Sequence, residues 1–252
     1  MAQNIRTRLS LGETCIGGWL SVSSPQVAEA MASCGFDWVS LDLEHSLFSL
    51  ADIHACFVAI ERHGAAPFCR MPCADPFFAR QLLDAGAQGL IIPVVEDAQS
   101  FSDFADHCHY PPYGKRGVGV SRQMMWGDAF ETYMDDFLPF LVPQIETQKG
   151  VDAAEKLASM PNVSSLFIGP YDLSASLGAA GEFDSDEFAT AVEIVRQACE
   201  KNNKPAGYHQ VDPDKTLLRQ KVDAGYRFVA FGTDMFAMRM AFDGIERIAR
   251  GT

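Results

Sequence analysis

Two acids mark where this chain could do chemistry. Glu146 closes the run FLVPQIET, and Asp172 follows SLFIGP, where Gly169 and Pro170 break an apolar stretch and leave the carboxylate in a loop. Each lies just past a buried β-run with no Cys or His alongside. The pair therefore offers oxygen ligands suited to a hard divalent cation, Mg²⁺ or Mn²⁺, with substrate and water completing the shell. Arg70 ends the strand in APFCRM, where a charge among apolar residues needs a partner. A substrate carboxylate or a developing oxyanion fits its planar fork. His45 is the general-base candidate, because Asp42 is near in sequence and can orient the ring and raise its basicity. His209, at the end of PAGYHQ, has weaker company and reads as a wall residue. Plainer readings stand beside these: two solvated loop acids, a structural salt bridge for Arg70, a structural role for His45. A chelated 2-oxo acid, an arginine beside its keto oxygen and a nearby base together describe enolate chemistry. No lysine falls at a strand end, which disfavours a Schiff-base route without excluding it.

These residues need a frame that gathers strand ends at one place. Short apolar runs followed by helical stretches recur at 16–20, 38–42, 67–71, 89–94, 139–145, 165–169, 205–209 and 228–232. Eight such units in 252 residues predict an α/β fold, a closed (β/α)₈ TIM barrel forming a single domain over 1–252, rather than an open doubly wound sheet. Ser24-Pro25 starts a helix through about Ser33, and a helix, glycine, strand joint recurs around Gly35, Gly86 and Gly225. Catalytic groups of such a barrel lie at the carboxyl ends of its strands, and Asp42, Glu44, His45, Arg70, Gln144, Glu146, Asp172 and His209 all fall there. The long irregular segment 107–136, rich in Gly, Pro and aromatics, reads as a lid or an interface. His107, Cys108 and His109 within it are too close in sequence to surround one zinc ion. Neither a dinucleotide-binding nor a P-loop glycine fingerprint is present.

Composition removes other classes. With 20 basic against 33 acidic residues, a net charge of −13 argues against nucleic-acid and anionic-membrane partners. Seven cysteines without a C-x-x-C pair, mostly in apolar runs, read as buried thiols in a reducing compartment. The lead-in MAQNIRTRLSLGE has no apolar core of a signal peptide, and no apolar run approaches the ~18 residues of a membrane span. The expected location is the cytoplasm.

The motifs WLSVSSPQVAEAMASCGFDWVSLDLEHS, ADPFFARQLLDAGAQGLIIPVVED, YPPYGKRGVG, QIET and FIGPYDLSASLG resemble, in this order and across nearly the whole chain, the HpcH/HpaI family of metal-dependent class II pyruvate aldolases. The resemblance implies a barrel of the phosphoenolpyruvate/pyruvate type using Mg²⁺, Mn²⁺ or Co²⁺. It implies that Glu146 and Asp172 ligate the metal, that His45 is the base and that Arg70 stabilises the transition state. Gln144 and the backbone of Tyr171 would hold the oxo acid together with Asp172 and Arg70, and Trp19, which opens the first motif, joins this substrate-binding set. Asp84 would raise the basicity of His45 in a neighbouring subunit of a hexamer; by itself it reads as a helix-end acid. The chain carries Tyr171 where several aldolases carry Ala, and its loop GVSRQMMWGDAF departs from the better-known members. Related chains include citrate synthase-like condensing enzymes and, more distantly, enzymes that cleave acyl-CoA, but no basic cluster here suits a CoA phosphate. The expected reaction is reversible cleavage of a 4-hydroxy-2-oxo acid to pyruvate, or a related 2-oxo acid, and an aldehyde. The alternative is a condensing enzyme or lyase using oxaloacetate or hydroxypyruvate; a non-catalytic binder of oxo acids would need no base.

Overall fold

A computed structural model describes residues 5–251 of the chain; residues 1–4 and 252, and with them the first positions of the lead-in, lie outside the described residues. The element order is α1 (Ile5–Ser10), β1 (Cys15–Leu20), α2 (Pro25–Ser33), β2 (Trp38–Asp42), α3 (Leu50–Arg62), β3 (Ala66–Arg70), α4 (Pro76–Ala85), β4 (Gly89–Ile92) and α5 (Ala98–Asp106). A 3₁₀ turn (Arg122–Gly127) and α6 (Phe130–Asp136) follow, then β5 (Phe140–Ile145), α7 (Gln148–Ala158), β6 (Leu166–Ile168), α8 (Pro170–Ser176) and α9 (Asp186–Lys201). The chain ends with β7 (Ala206–Gln210), α10 (Lys215–Asp223), β8 (Phe228–Thr233), α11 (Asp234–Phe242) and α12 (Ile245–Arg250). The eight strands pair in sequence order, all parallel, and β8 closes onto β1. This is the expected (β/α)₈ barrel.

The period-two alternation of strand side chains divides the core in two. Val39, Leu41, Cys69, Leu90, Ile92, Leu141 and Ile145 belong to the layer packed against the helices. Trp38, Phe68, Ile91, Phe140, Val142, Phe167 and Phe228 fill the barrel interior. This interior is aromatic where many barrels use branched aliphatics. Glycines make room for it: a Cβ on Gly17 would lie 2.1 Å from the Trp38 ring, and one on Gly89 2.0 Å from Phe68.

The helix-to-strand joint around Gly35, Gly86 and Gly225 is real, and each of these glycines has a positive φ (89°, 122° and 98°) at a helix end. The segment 107–136 is more structured than its composition suggests. It carries the 3₁₀ turn and α6, and it is anchored by Arg116, whose side chain is fully buried. The Arg116 guanidinium lies 4.5 Å from the centre of the Tyr110 ring and donates to Asp84 Oδ1 at 2.6 Å. All seven thiols are free; Cys34 and Cys73 are exposed and the other five buried. Among the described residues no helix is long and apolar enough to cross a membrane. Neither α11 nor α12 buries a residue, and Phe242, Ile245 and Ile248 are exposed on them.

Candidate active site

The same alternation that buries Trp38 and Phe68 carries polar residues into the mouth of the barrel. Asp42 stands four residues beyond Trp38, with Ser40 between them on the same face, and Arg70 stands two beyond Phe68; the register of β2 with β3 makes Asp42 and Arg70 direct partners. Arg70 Nε donates to Asp42 Oδ1 at 3.0 Å and Nη2 to Oδ2 at 2.7 Å, a bidentate pair that fixes the plane of the guanidinium. Nη1 lies 3.2 Å from Glu44 Oε2, at ion-pair distance but without hydrogen-bond alignment. The structural salt bridge is therefore present. It leaves one N–H on Nη2 and those on Nη1 directed elsewhere, since a guanidinium offers five. Burial opposes ionisation of Asp42, but the hydrogen bonds and charge of Arg70 overcome it and hold the carboxyl below its usual value.

Beneath Arg70 lies Trp19, with the guanidinium carbon 5.1 Å from the ring centre, and Trp19 stacks on His209 with centroids 4.3 Å apart. Trp19 is only 1% exposed. It thus forms the floor under Arg70 and does not present an open surface to substrate, because the first strand turns it inward onto Phe167 and His209. His209 is the wall residue expected of it: burial and the nearby Arg70 push its pKa down to about 3, so the ring is neutral.

Asp42 meets His45 differently from expectation. Its Oδ1 accepts from the backbone N–H groups of Glu44 and His45, each at 3.2 Å, and both of its oxygens are engaged by Arg70. The carboxylate near the imidazole is that of Glu44, with Oε2 3.7 Å from His45 Nε2. The ring itself is mostly exposed at the mouth. Asp42 shapes the turn carrying His45, while Glu44 stands between His45 and Arg70. Burial raises the Glu44 carboxyl above its usual value, an effect that Arg70 partly offsets.

Across the mouth, Gln144 and Glu146 continue the inward parity of Phe140 and Val142 at the end of β5. Glu146 Oε2 accepts from the N–H of Val94 at 2.8 Å, and Val94 is held at φ 50°, a left-handed conformation rare for a β-branched residue. Burial pushes the Glu146 carboxyl up to about 7; the Val94 hydrogen bond opposes this, and the charges of Asp172 and Glu44 add to it. Asp172 is not in a loop. Pro170 opens α8, and Asp172 occupies its first turn, exposed toward the mouth side of Glu146, because a proline at the first helical position favours the helix it precedes. Tyr171 is half exposed, with its ring against Phe183.

These features fit a divalent cation. Glu146 is a buried carboxylate facing other carboxylates, Gln144 Oε1 is buried without a donor among the described residues, and Gly169 keeps its Cα face open beside them. Among the described residues no group of three or more His, Cys, Asp or Glu side chains is gathered to hold a metal by itself. Glu146, Asp172 and the amide oxygen of Gln144 are the donors available at the mouth. A Cβ on Gly169 would stand 2.8 Å from Glu146 Oε1 and from Gln144 Nε2. Gly169→Ala is expected to displace these donors and to weaken Mn²⁺ binding by about 10–100-fold, measured by calorimetry, with a near-native unfolding midpoint. Unaltered Mn²⁺ affinity would mean that neither side chain takes part in holding the ion.

Asp84 lies elsewhere. It sits in the last turn of α4, at the end of the barrel opposite His45, bonded to Arg116. Within one chain the two do not meet. A cleft of about 630 Å³ between α9, α10 and the outer side of β7 touches the mouth only at its rim, through Tyr171 and His209. The chemistry follows the convergent side chains and not this larger volume. What sequence reasoning missed here, Glu44 as the partner of His45 and the N–H of Val94 on Glu146, comes from contacts between different loops. Only the inward parity of Trp19 carried a signal for its place under Arg70.

A model of the HpcH/HpaI aldolase/citrate lyase family matches residues 16–241. The chain is 34% identical to the hydroxypyruvate/pyruvate aldolase of Roseobacter denitrificans over 90% of its length and 89% of that protein. It is 35% identical to the 4-hydroxy-2-oxovalerate aldolase of Novosphingobium aromaticivorans, covering 97% of this chain and 94% of the other. A crystal structure of an HpcH/HpaI aldolase/citrate lyase family protein from Burkholderia cenocepacia superposes with a TM-score of 0.91 at 30% identity, covering 98% of this chain and all of that one.

Proposed function

We infer the reaction from one premise: the chain belongs to the HpcH/HpaI aldolase/citrate lyase family. It is an aldolase, a carbon–carbon lyase, and its proposed substrate is a 4-hydroxy-2-oxo acid split reversibly into pyruvate and an aldehyde. The observation that carries this reading is the meeting of a fixed guanidinium, Arg70, with the buried Glu146 carboxylate and the His45 ring around one barrel mouth. Glu146 and Asp172, with Gln144 beside them, are the residues that would hold Mg²⁺, Mn²⁺ or Co²⁺. When bound, such an ion polarises the 2-oxo group and offsets negative charge. Arg70, clamped by Asp42, directs its remaining N–H groups at the oxygen that gains charge as the bond breaks. His45 accepts the proton of the C4 hydroxyl; the C3–C4 electrons pass to C3, the aldehyde departs, and C3 is then protonated to give pyruvate. Gln144 and the backbone around Tyr171 orient the oxo acid. Trp19 acts through Arg70, supporting it from below.

The test is a pyruvate-release screen over 4-hydroxy-2-oxo acids of varied chain length, with Mg²⁺, Mn²⁺ and Co²⁺ each added to chelator-treated protein. Absence of release from every member overturns the reading. A hydroxypyruvate arm belongs in the synthetic direction, because a relative is named for that donor.

The exposed apolar side chains of α11 and α12 support a homo-oligomer, in which Asp84 could serve His45 of another subunit; light scattering would distinguish a hexamer from a monomer. Buried free thiols support a reducing, cytoplasmic setting, and the closure of all eight strands supports one domain.

Arg70→Lys is expected to lower kcat by ~10²-fold or more, because lysine cannot keep the two-point contact with Asp42 and aim a second N–H at the substrate. An unchanged kcat would return Arg70 to a purely structural salt bridge.

A further inference from the structure

The cleft of about 630 Å³ between α9, α10 and the outer side of β7 is walled by polar atoms that the protein leaves without partners. A barrel helix ordinarily buries an apolar stripe against its strands, yet α10 buries no residue. The side chain it sends across to β7 is Lys221, whose Nζ stands 3.9 Å from the centre of the Tyr208 ring and 5.9 Å from that of Tyr226. Among the described residues Lys221 makes no hydrogen bond and no salt bridge. The ring faces balance part of its charge but accept no strong hydrogen bond, and burial lowers its pKa. Two acceptors line the same cleft. Gln210 lies two residues beyond Tyr208 on the same face of β7, and its Nε2 donates to the carbonyls of Asp212 and Asp214, each at 2.7 Å. That leaves Gln210 Oε1 buried with no donor, and Asp212 Oδ1, in the turn that Gln210 holds, is likewise buried with no donor among the described residues. Of the remaining acids, Glu193 is taken by Arg196 at 2.7 and 2.8 Å, and Asp184 is exposed. Phe183, Phe188, Val192 and Leu217 supply an apolar wall.

A half-buried ammonium without an acceptor and buried oxygens without a donor each cost free energy, which a ligand offering both complementary groups recovers. Water satisfies the polar atoms alone, whereas an organic molecule also covers the apolar wall, and the volume is that of a small-molecule site. We propose that this cleft binds a small carboxylic acid that carries an apolar group and, on the carbon next to its carboxylate, an ammonium or hydroxyl donor. The carboxylate meets Lys221, the donor meets Gln210 Oε1 and Asp212 Oδ1, and the apolar group packs on Phe183, Phe188 and Leu217. With Lys221 over Tyr208, the cation and Gln210 are offset along β7 by two strand residues, roughly 6–7 Å. One such group, with a hydrogen bond of about 3 Å at each end, bridges that interval. The site lies on the outer side of β7 and does not depend on the reaction proposed for the mouth.

The test is calorimetric titration of the full chain with phenylalanine, phenyllactate, hydrocinnamate, which lacks the donor, and phenethylamine, which lacks the carboxylate. It reads binding and not turnover, so its outcome is separate from that of the pyruvate screen. The expected result is saturable binding of phenylalanine, phenyllactate or both, about tenfold or more tighter than of either molecule that lacks one group. Binding of both acids assigns the site to either donor, and binding of one alone assigns it to an ammonium or to a hydroxyl. Lys221→Met, which keeps an apolar stem against Tyr208, is expected to weaken binding by about tenfold or more. No saturable binding, an affinity for hydrocinnamate or phenethylamine within that factor, or a smaller loss in the variant overturns the proposal. Should the variant not fold, acetylation of the unaltered protein decides: the acid that binds should protect Lys221 severalfold and leave the exposed Lys149 unprotected. Unprotected Lys221 overturns the proposal.

Discussion

Glu146→Ala and Asp172→Ala proteins are each expected to release pyruvate roughly 10³-fold more slowly than the unaltered enzyme, a loss of ~4 kcal/mol of transition-state stabilisation. Glu146 is the stronger case. Its carboxylate is buried, fixed by the N–H of Val94, and pushed up to about 7 first by burial and then by the charges of Asp172 and Glu44. A cation held there replaces the lost hydration, and removing one of the two carboxylates leaves it under-coordinated. Chelation should have the same effect in the unaltered protein, with activity restored by Mg²⁺, Mn²⁺ or Co²⁺. Folding should survive in both variants, because the barrel core is made of other residues. The measurement is coupled pyruvate detection alongside Mn²⁺ binding by electron paramagnetic resonance. Full turnover by metal-free protein would sink the metal assignment.

His45→Ala is expected to separate two reactions that share one product. Aldol cleavage needs a base for the C4 hydroxyl proton, whereas decarboxylation of oxaloacetate reaches the pyruvate enolate by losing CO₂ and has no such proton to remove. Loss of the base should therefore cost aldol cleavage about 10²–10⁴-fold and leave most oxaloacetate decarboxylation in place. Glu44→Gln adds a check that the geometry suggests: with its oxygen 3.7 Å from the imidazole, Glu44 is the acid placed to tune the ring, and Asp42 is not. Its replacement should lower kcat for aldol cleavage more than it changes KM, because the ring loses its neighbouring carboxylate. Equal loss of both reactions in a folded, metal-loaded His45→Ala protein would make His45 a binding residue.

Much of this site was legible because strand parity is a local property. Once Trp38 or Phe140 is read as inward, Asp42 and Gln144 follow on the same face, and Glu146 continues it beyond the strand; the order of β-runs and helices likewise implied a barrel with these residues at one end. Asp172 was half legible. Its approach to Glu146 could be read from two strand ends, but its helical conformation depended on α8 continuing past Pro170.

The sequence by itself determined the eight-unit barrel, the end at which its polar residues converge, and the family, since these follow from periodicity, chain order and an ordered set of motifs. Only the tertiary structure decided which partner each charge takes. Asp42 is claimed by Arg70 through the register of β2 with β3, Glu44 is shared between Arg70 and the His45 ring, and Trp19 is folded under the guanidinium. Asp84 is bound to the buried Arg116 of a distant loop at the opposite end of the barrel. The physical reason is range. Which face a side chain takes is set by its neighbours along the strand, whereas a salt bridge or a stacked ring is chosen among groups far apart in the chain that meet only when the barrel closes.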